Sequence, residues 1–201
     1  MIEARNNSPR YRKDESLFMQ VCNDLKTQHV RNQKILLIQT LQLQLSAFNR
    51  EVAINKGYYA YPPTGLQWIL KSLETTDLEI SLLDLNYEFL NRIINDATFS
   101  HSDWLNIVDE WLNKIDPSIV AVSCIGVLTN LMDDDHPLTG VLRHVRKKNR
   151  CIVIAGGPVA TDEYKHYLNN DLCHFVVANE GENKINYLLR SIYGYLSDQL
   201  S

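Results

Sequence analysis

Small and polar residues that can hold a ligand follow three apolar runs of the sequence. Ser123 closes the run IVAVS, Gly156 and Gly157 close CIVIAGG, and Glu180 and Glu182 flank a glycine after FVVAN. Glycine exposes backbone N–H groups and adopts positive φ without strain, a hydroxyl can donate or accept, and carboxylates serve as acids or bases. Each glycine alone is explained by a turn, but the group of them favours a ligand site.

The elements that position these residues form a regular alternation. Five apolar runs have strand length: KILLIQT, LEISLLDL, IVAVSCIG, CIVIAGG and CHFVVANEG. Segments with apolar residues at helical spacing separate them, beginning near Thr64, Trp104, Leu138, Tyr164 and Lys184. Five strands alternating with five helices predict an α/β fold with a doubly wound, five-stranded parallel sheet, flavodoxin-like or Rossmann-like, in the order 2-1-3-4-5.

The chain divides into two parts by composition. Residues 1–33 are polar and carry one weak helical pattern, which predicts either a packed helical extension or a frayed arm. Residues 34–201 hold all five strand-like runs and are expected to form the α/β domain.

Composition limits the partners and the compartment. The formal net charge of -4 supplies no general basic field, so neither nucleic acid nor an anionic membrane is an expected partner. No run approaches the roughly 20 apolar residues of a membrane span, and the first residues lack the apolar core of a signal peptide, so a cytoplasmic protein is expected. The four cysteines form no Cys-x-x-Cys pair, which favours buried reduced thiols over a zinc or disulfide framework.

Ligands of doubly wound sheets bind beyond the carboxyl ends of the strands, where the strand order reverses. In this sequence that rule selects the loops after Thr40 and after four glycines at strand exits, namely Gly126, Gly156, Gly157 and Gly181. Bare backbone at these positions suits a broad ligand with amide or phosphate groups.

The order and spacing of these segments resemble the cobalamin-binding domain found on the amino-terminal side of many radical S-adenosylmethionine enzymes. The resemblance spans Lys34 to about Ile192 and is carried by PPTGL, the Asp-Pro before the third strand, AGGP and EGE. Within the broader cobalamin-binding fold, Ser123-Cys124-Ile125 is similar to a Ser-x-Leu element, and Gly156-Gly157 matches a Gly-Gly element.

The resemblance implies that cobalamin is the cofactor and a partner of this chain. Its nucleotide tail is expected between Ser123 and the Gly156-Gly157 pair, and its corrin ring beneath YYAYPP and VLTN. The implied cofactor-binding residues are Tyr61, Pro63, Thr64, Ser123, Gly126, Val127, Leu128, Thr129, Gly156, Gly157, Pro158, Glu180 and Gly181.

One element of the cobalamin-binding pattern is absent, the Asp-x-His-x-x-Gly that places a histidine after the first strand. No residue of this chain is therefore predicted as a metal ligand, and the only metal that the resemblance implies is the cobalt of the cofactor. No catalytic residue is predicted either. DDDHPLTG is interpreted as a helix start, with Asp133–Asp135 at the positive pole and Pro137 in the first turn.

In full-length relatives a barrel domain binds an iron–sulfur cluster and S-adenosylmethionine through Cys-x-x-x-Cys-x-x-Cys. That spacing does not occur here, so this chain is expected to bind neither and to catalyse nothing by itself. A radical S-adenosylmethionine barrel domain is the expected partner, in cis or in trans. The chain is then an excised module, a stand-alone carrier or a degenerate relative.

Two other readings remain open. A hydrolase or transferase could use Asp84, Glu180 or Glu182 with Ser123, although no histidine is clearly placed to activate the serine. The second alternative is a scaffold domain that has lost the ability to bind its cofactor. Nucleotide binding is disfavoured, because GGPVAT lacks both Gly-x-Gly-x-x-Gly and a P-loop lysine.

Overall fold

The protein is described by a computed structural model that covers residues 9–74, 76–125 and 136–194, with side chains from residue 15 onward. Its centre is a five-stranded sheet in the order β2-β1-β3-β4-β5, and every neighbouring pair of strands is parallel. The predicted fold class and strand order are confirmed. The strands are β1 (Lys34–Gln39), β2 (Glu79–Asp84), β3 (Ile119–Ser123), β4 (Ile152–Gly156) and β5 (Phe175–Val177).

Helices precede, connect and follow the strands. They are α1 (Pro9–His29), α2 (Arg50–Ile54), α3 (Thr64–Ser72), α4 (Leu85–Asn95), α5 (Trp104–Ile115), α6 (Pro137–Lys148), α7 (Pro158–Asp162), α8 (Tyr164–Asn169) and α9 (Glu182–Tyr193). Two single turns of 3-10 helix lie at Leu45–Ala47 and His101–Asp103.

The sheet is covered on both faces, as its continuous apolar strands predict. Alternate residues of each strand point to opposite faces, so Leu36 and Ile38 join one core while Ile35 and Leu37 join the other. The first core packs against α4 to α8, and the second packs against α1, α3 and α9. The second face is the one that carries the groove described below.

From Pro9 to His29 the N-terminal extension is helix α1, which packs against the α/β domain. Cys22 of α1 is fully buried in the second core. Phe18 stacks on Tyr187 of α9 with ring centroids 5.8 Å apart and meets Phe175 edge-on at 6.2 Å. At the end of α1, Lys26 Nζ donates to the backbone oxygen of Tyr193 at 3.0 Å. Helix α1 therefore completes the cover over β5 and α9.

Three described helices lie where the sequence pattern predicted none: α2, α4 and the five-residue α7 directly after β4. Helix α2 interrupts the predicted loop after β1, and its cap is Asn49, whose side chain accepts from Glu51 N and Val52 N. With five residues it is too short to show a helical period. Helix α4 begins directly at the end of β2, where Asp84 accepts from Tyr87 N at 3.0 Å. The run LLDL contains the end of the strand and the first residue of the helix. The helical spacing of apolar residues in α4 therefore cannot be distinguished from the apolar run of β2 in the sequence.

The fifth strand is much shorter than predicted. The sequence pattern predicted a strand over Cys173–Gly181, whereas β5 covers only Phe175–Val177. The chain turns away from the sheet at Asn179, whose φ is +60°. This turn places Asn179 to Glu182 across the carboxyl edge of the sheet, at the start of α9.

Candidate cofactor-binding site

A groove of about 370 Å³ opens at the carboxyl edge of the central strands, between the sheet and helices α3 and α9. Its floor is apolar and is formed by Leu37, Ala121 and Ile154 of three adjacent strands. Leu66 and Ile69 of α3 form one wall, and Ile185 of α9 forms the other. The groove therefore lies at the carboxyl ends of the adjacent strands β1 and β3, from which the chain continues toward opposite edges of the sheet, as the rule for doubly wound sheets predicts.

One row of residues crosses the open end of this floor. Gln39, Ser123, Gly156 and Val177 are successive partners in the parallel register of β1, β3, β4 and β5. Residues in register lie about 4.8 Å apart on neighbouring strands and point to the same face. The row thus presents an amide, a hydroxyl and a bare backbone side by side to the groove.

The two glycines of the Gly-Gly pair have different roles. A Cβ built on Gly156 meets nothing nearer than Val177 O at 3.8 Å, so the missing side chain leaves space in the groove. Gly157 has φ +93°, and a Cβ there would stand 2.8 Å from Ser123 Oγ and 3.0 Å from Cys124 O. Gly157 is therefore required by the backbone and by the protein's own packing, whereas Gly156 opens the site.

Two further glycines shape the walls. A Cβ on Gly65, in the first turn of α3, meets nothing within 4 Å, so this position also widens the groove. A Cβ on Gly181 would lie 3.0 Å from Ile69 Cδ1. Gly181 thus lets the start of α9 approach α3 closely and so narrows the groove at that end.

The polar groups of the groove are few, and the charged ones among the described residues are carboxylates. Gln39 is 2% exposed, and its Nε2 has no hydrogen-bond partner within the described residues. Glu180 and Glu182 stand at the start of α9. In the parts of the chain that the structure describes, the groove is lined by no lysine, arginine or histidine. It is an apolar cleft with buried hydrogen-bonding groups at its base and carboxylates beside it.

The predicted site residues separate into three groups. Six of them line the groove together: Ser123, Gly156, Gly157, Pro158, Glu180 and Gly181. Three lie at the start of α3 and do not line the groove. Tyr61 is 64% exposed, Pro63 is buried directly before the helix, and Thr64 is the exposed first residue of the helix. Gly126, Val127, Leu128 and Thr129 lie outside the described residues. A role in binding cofactor stays a prediction for all of them.

Sequence reasoning missed several groove residues, and Gln39 is the most informative. It is the polar last residue of the apolar strand KILLIQ, and the position of Ser123 in β3 corresponds to it. The pattern of polar residues at matching strand ends was therefore available as a signal. Gly65 and Asn179 are also groove residues that were not predicted, and their positions depend on how α3 and α9 approach the sheet.

The acid–base alternative gains little from the geometry. Asp84 caps α4 through Tyr87 N and does not line the groove, and burial raises the pKa of its carboxyl group. Ser123 and Glu182 both line the groove, but it lacks a described histidine that could activate the hydroxyl.

His136, part of the motif DDDHPLTG, is fully buried directly before α6, and its burial lowers the pKa of the imidazole. Pro137 is the first residue of α6, as predicted, while Asp133–Asp135 lie outside the described residues. Neither ring nitrogen of His136 has a hydrogen-bond partner in the part of the chain that is described. The histidine does not line the groove.

Cysteines and other metal-ligating side chains form no centre within the described ranges. All four cysteines are buried free thiols, and burial raises the pKa of Cys22 to about 11 and that of Cys151 and Cys173 to about 12. Over residues 9–74, 76–125 and 136–194, no group of three histidine, cysteine or acidic side chains is arranged to hold a metal ion. None of the helices described there is long and apolar enough to cross a membrane.

Two solved structures of the radical S-adenosylmethionine methyltransferase TsrM from Kitasatospora setae are similar to this chain. One contains cobalamin and a [4Fe-4S] cluster, and it matches with a TM-score of 0.55 at 17% identity over 83% of this chain and 26% of TsrM. The other contains a tryptophan substrate and an S-adenosylmethionine analogue, with a TM-score of 0.54 at 17% identity over 83% of this chain and 27% of TsrM. At this identity the likeness shows the fold alone, and the chain spans about a quarter of the length of TsrM. No protein-family model and no curated protein matches the sequence.

Proposed function

We propose that this chain is a cobalamin-binding module and that its groove takes the nucleotide tail of the cofactor. The observation that carries the proposal is the groove at the strand-order reversal. At its base lie the amide of Gln39, whose Nε2 lacks a partner within the described residues, and the open floor at Gly156. The fold shared with TsrM, of which one structure contains cobalamin, supports this choice of ligand.

The residues present fit the flat aromatic base of the tail, with the sugar–phosphate chain outside the groove. The space left by Gly65 and Gly156 and the apolar floor suit a ring system that slides between the sheet and α3. The volume of about 370 Å³ lies within the range of roughly 300–1,000 Å³ that is usual for ligand sites. Gln39 and Ser123 would hold the base by hydrogen bonds, and Ile69 and Ile185 would exclude water from it.

The chain's own part in the function is to bind and orient. Cobalamin, when bound, supplies a cobalt centre that can carry a methyl group or assist radical chemistry. We propose that a radical S-adenosylmethionine barrel, in cis or in trans, provides the iron–sulfur cluster and the reaction. This chain would then fix the cofactor at the strand edge and keep its tail out of solvent.

Reconstitution tests the proposal directly. The full chain is incubated with hydroxocobalamin, passed through gel filtration and examined for a retained visible spectrum. Gly65→Leu fills the open space in the groove and is expected to abolish retention, whereas Gln67→Leu, at an exposed position of the same helix, is the matched control and should retain the corrinoid. A wild-type chain that elutes colourless would overturn the proposal.

A further inference from the structure

Gln39 is a buried polar residue whose side chain lines the groove. Its side chain is 2% exposed, it lines the groove, and its Nε2 lacks a hydrogen-bond partner within the described residues. Its position is fixed by pairing with both neighbouring strands, through Asp84 on β2 and Ser123 on β3. The next residue continues this pairing, since Thr40 N donates to Ser123 O at 2.9 Å.

A buried donor without an acceptor destabilises the protein that carries it. An apolar side chain of similar size would continue the apolar floor of Leu37 and Ala121 without that cost. The amide is therefore best explained by a partner that the described residues do not supply. Gln39 lines the groove, and a rotation of its terminal amide would turn Nε2 toward a ligand placed there.

The charges around the groove define what kind of partner this is. Glu180 and Glu182 lie at the start of α9, and Glu182, in the first turn, interacts favourably with the positive pole of the helix that would otherwise attract an anion. Since no lysine or arginine lines the described part of the groove, a phosphate placed inside would lack a countercharge. The group facing Gln39 must accept a hydrogen bond, be apolar on its faces and carry no negative charge.

We propose that Gln39 selects the base at the end of the cofactor's tail. Its Nε2–H group donates to an acceptor atom on the edge of an uncharged heteroaromatic base, and the apolar floor contacts the faces of the ring. Bases that lack such an acceptor leave the amide unpaired and bind more weakly. This inference rests on the proposed function, because it assigns a specificity role within the same groove.

Thermal unfolding of the free protein gives the first test. Gln39→Met keeps the length of the side chain and removes the orphaned donor, so it should raise the unfolding midpoint by at least about 2 °C. Thr40→Val is the matched control: Thr40 is fully buried, its Oγ1 also lacks a partner within the described residues, and it does not line the groove. Both variants should therefore fold and gain stability, and a loss of stability in Gln39→Met would overturn the proposal.

Equilibrium binding of two corrinoids gives the second test. Wild-type protein and Thr40→Val should bind cobalamin, whose benzimidazole has a ring nitrogen, roughly 5- to 150-fold more tightly than the analogue with a p-cresol base. Gln39→Met should lose most of this preference by weakening cobalamin alone. Cobalamin binding that Gln39→Met leaves unchanged would overturn this inference and leave the proposed function intact. Failure of the wild type to bind either corrinoid would overturn both.

Discussion

The hydroxyl group of Ser123 occupies the space that a side chain at position 157 would need. A Cβ built on Gly157 stands 2.8 Å from Ser123 Oγ, and the backbone there has φ +93°. The end of β3 and the turn that follows β4 are therefore packed directly against each other. This contact closes the end of the groove next to Gly156, and the missing side chain of Gly156 leaves open space there.

Replacing the two adjacent glycines should therefore have different effects on stability. Gly157→Ala requires a left-handed backbone from alanine and pushes against Cys124 O, so we expect the free energy of unfolding to fall by more than about 1 kcal/mol. Gly156→Ala places its Cβ 3.8 Å from the nearest atom and should be tolerated. Urea denaturation of both variants measures the difference, and equal losses would contradict the distinct roles.

Gly65 should show opposite effects on stability and on binding. Gly65→Ala adds a methyl group to open space in the first turn of α3 and reduces the freedom of the unfolded chain, so the free energy of unfolding should rise by up to about 1 kcal/mol. The same methyl group narrows the groove and should weaken cobalamin binding. Denaturation of Gly65→Ala measures the expected rise in the free energy of unfolding, and corrinoid titration of the same variant measures the expected fall in affinity. A variant that is more stable and binds equally well would place the ligand elsewhere.

Much of the fold could be predicted from the sequence because parallel strands and their crossover helices leave strong local patterns. The run from Lys34 to Thr40 is apolar on both faces, which indicates a central strand, and right-handed crossovers then restrict the order of the others. Helix α2, by contrast, depends on one capping residue, Asn49, and leaves no period to detect. Helix α4 shares its first apolar residues with β2.

The site could be predicted only in part, for a related reason. Glycines and Ser123 at strand ends are visible in the sequence, and the topology rule brings them to one edge. Which of them faces the groove depends on the alternation of side chains and on where α3 and α9 pack. Gly157 packs against Ser123, whereas Gly156 and Gln39 line the groove. The register of the strands is needed to tell which residues line the groove and which do not.

The contact of α1 with α9 should contribute to the stability of the whole domain. Phe18 stacks on Tyr187 and meets Phe175, so Phe18→Ala should lower the free energy of unfolding by about 2 kcal/mol. Leu17, its neighbour, is 60% exposed, and Leu17→Ala is the control with an expected change within about 0.5 kcal/mol. Denaturation followed by circular dichroism measures both. Equal effects would mean that α1 does not stabilise the domain through this aromatic contact.

Acid should destabilise the protein through His174. The pKa of this histidine is lowered to about 4, chiefly by burial and then by the positive charges of Arg146 and His29, with Asp171 opposing them. Its Nδ1 accepts from Val153 N at 2.8 Å, which requires that nitrogen to be unprotonated. The unfolded chain, with a pKa near 6.5, binds the proton first, so the stabilisation is present above about pH 6.5 and is lost as the pH falls towards 4.

The variant His174→Asn separates this residue from the other groups that titrate in acid. Its amide oxygen can replace Nδ1 as the acceptor for Val153 N, but it takes up no proton. The loss of unfolding free energy between about pH 6.5 and 4, which we expect to be at most about 3 kcal/mol from His174, should shrink in the variant. His29 and His136, whose pKa values burial also lowers, should maintain the remaining slope. Denaturation curves at several pH values measure the two slopes, and parallel curves for wild type and variant would show that His174 is not the group that titrates.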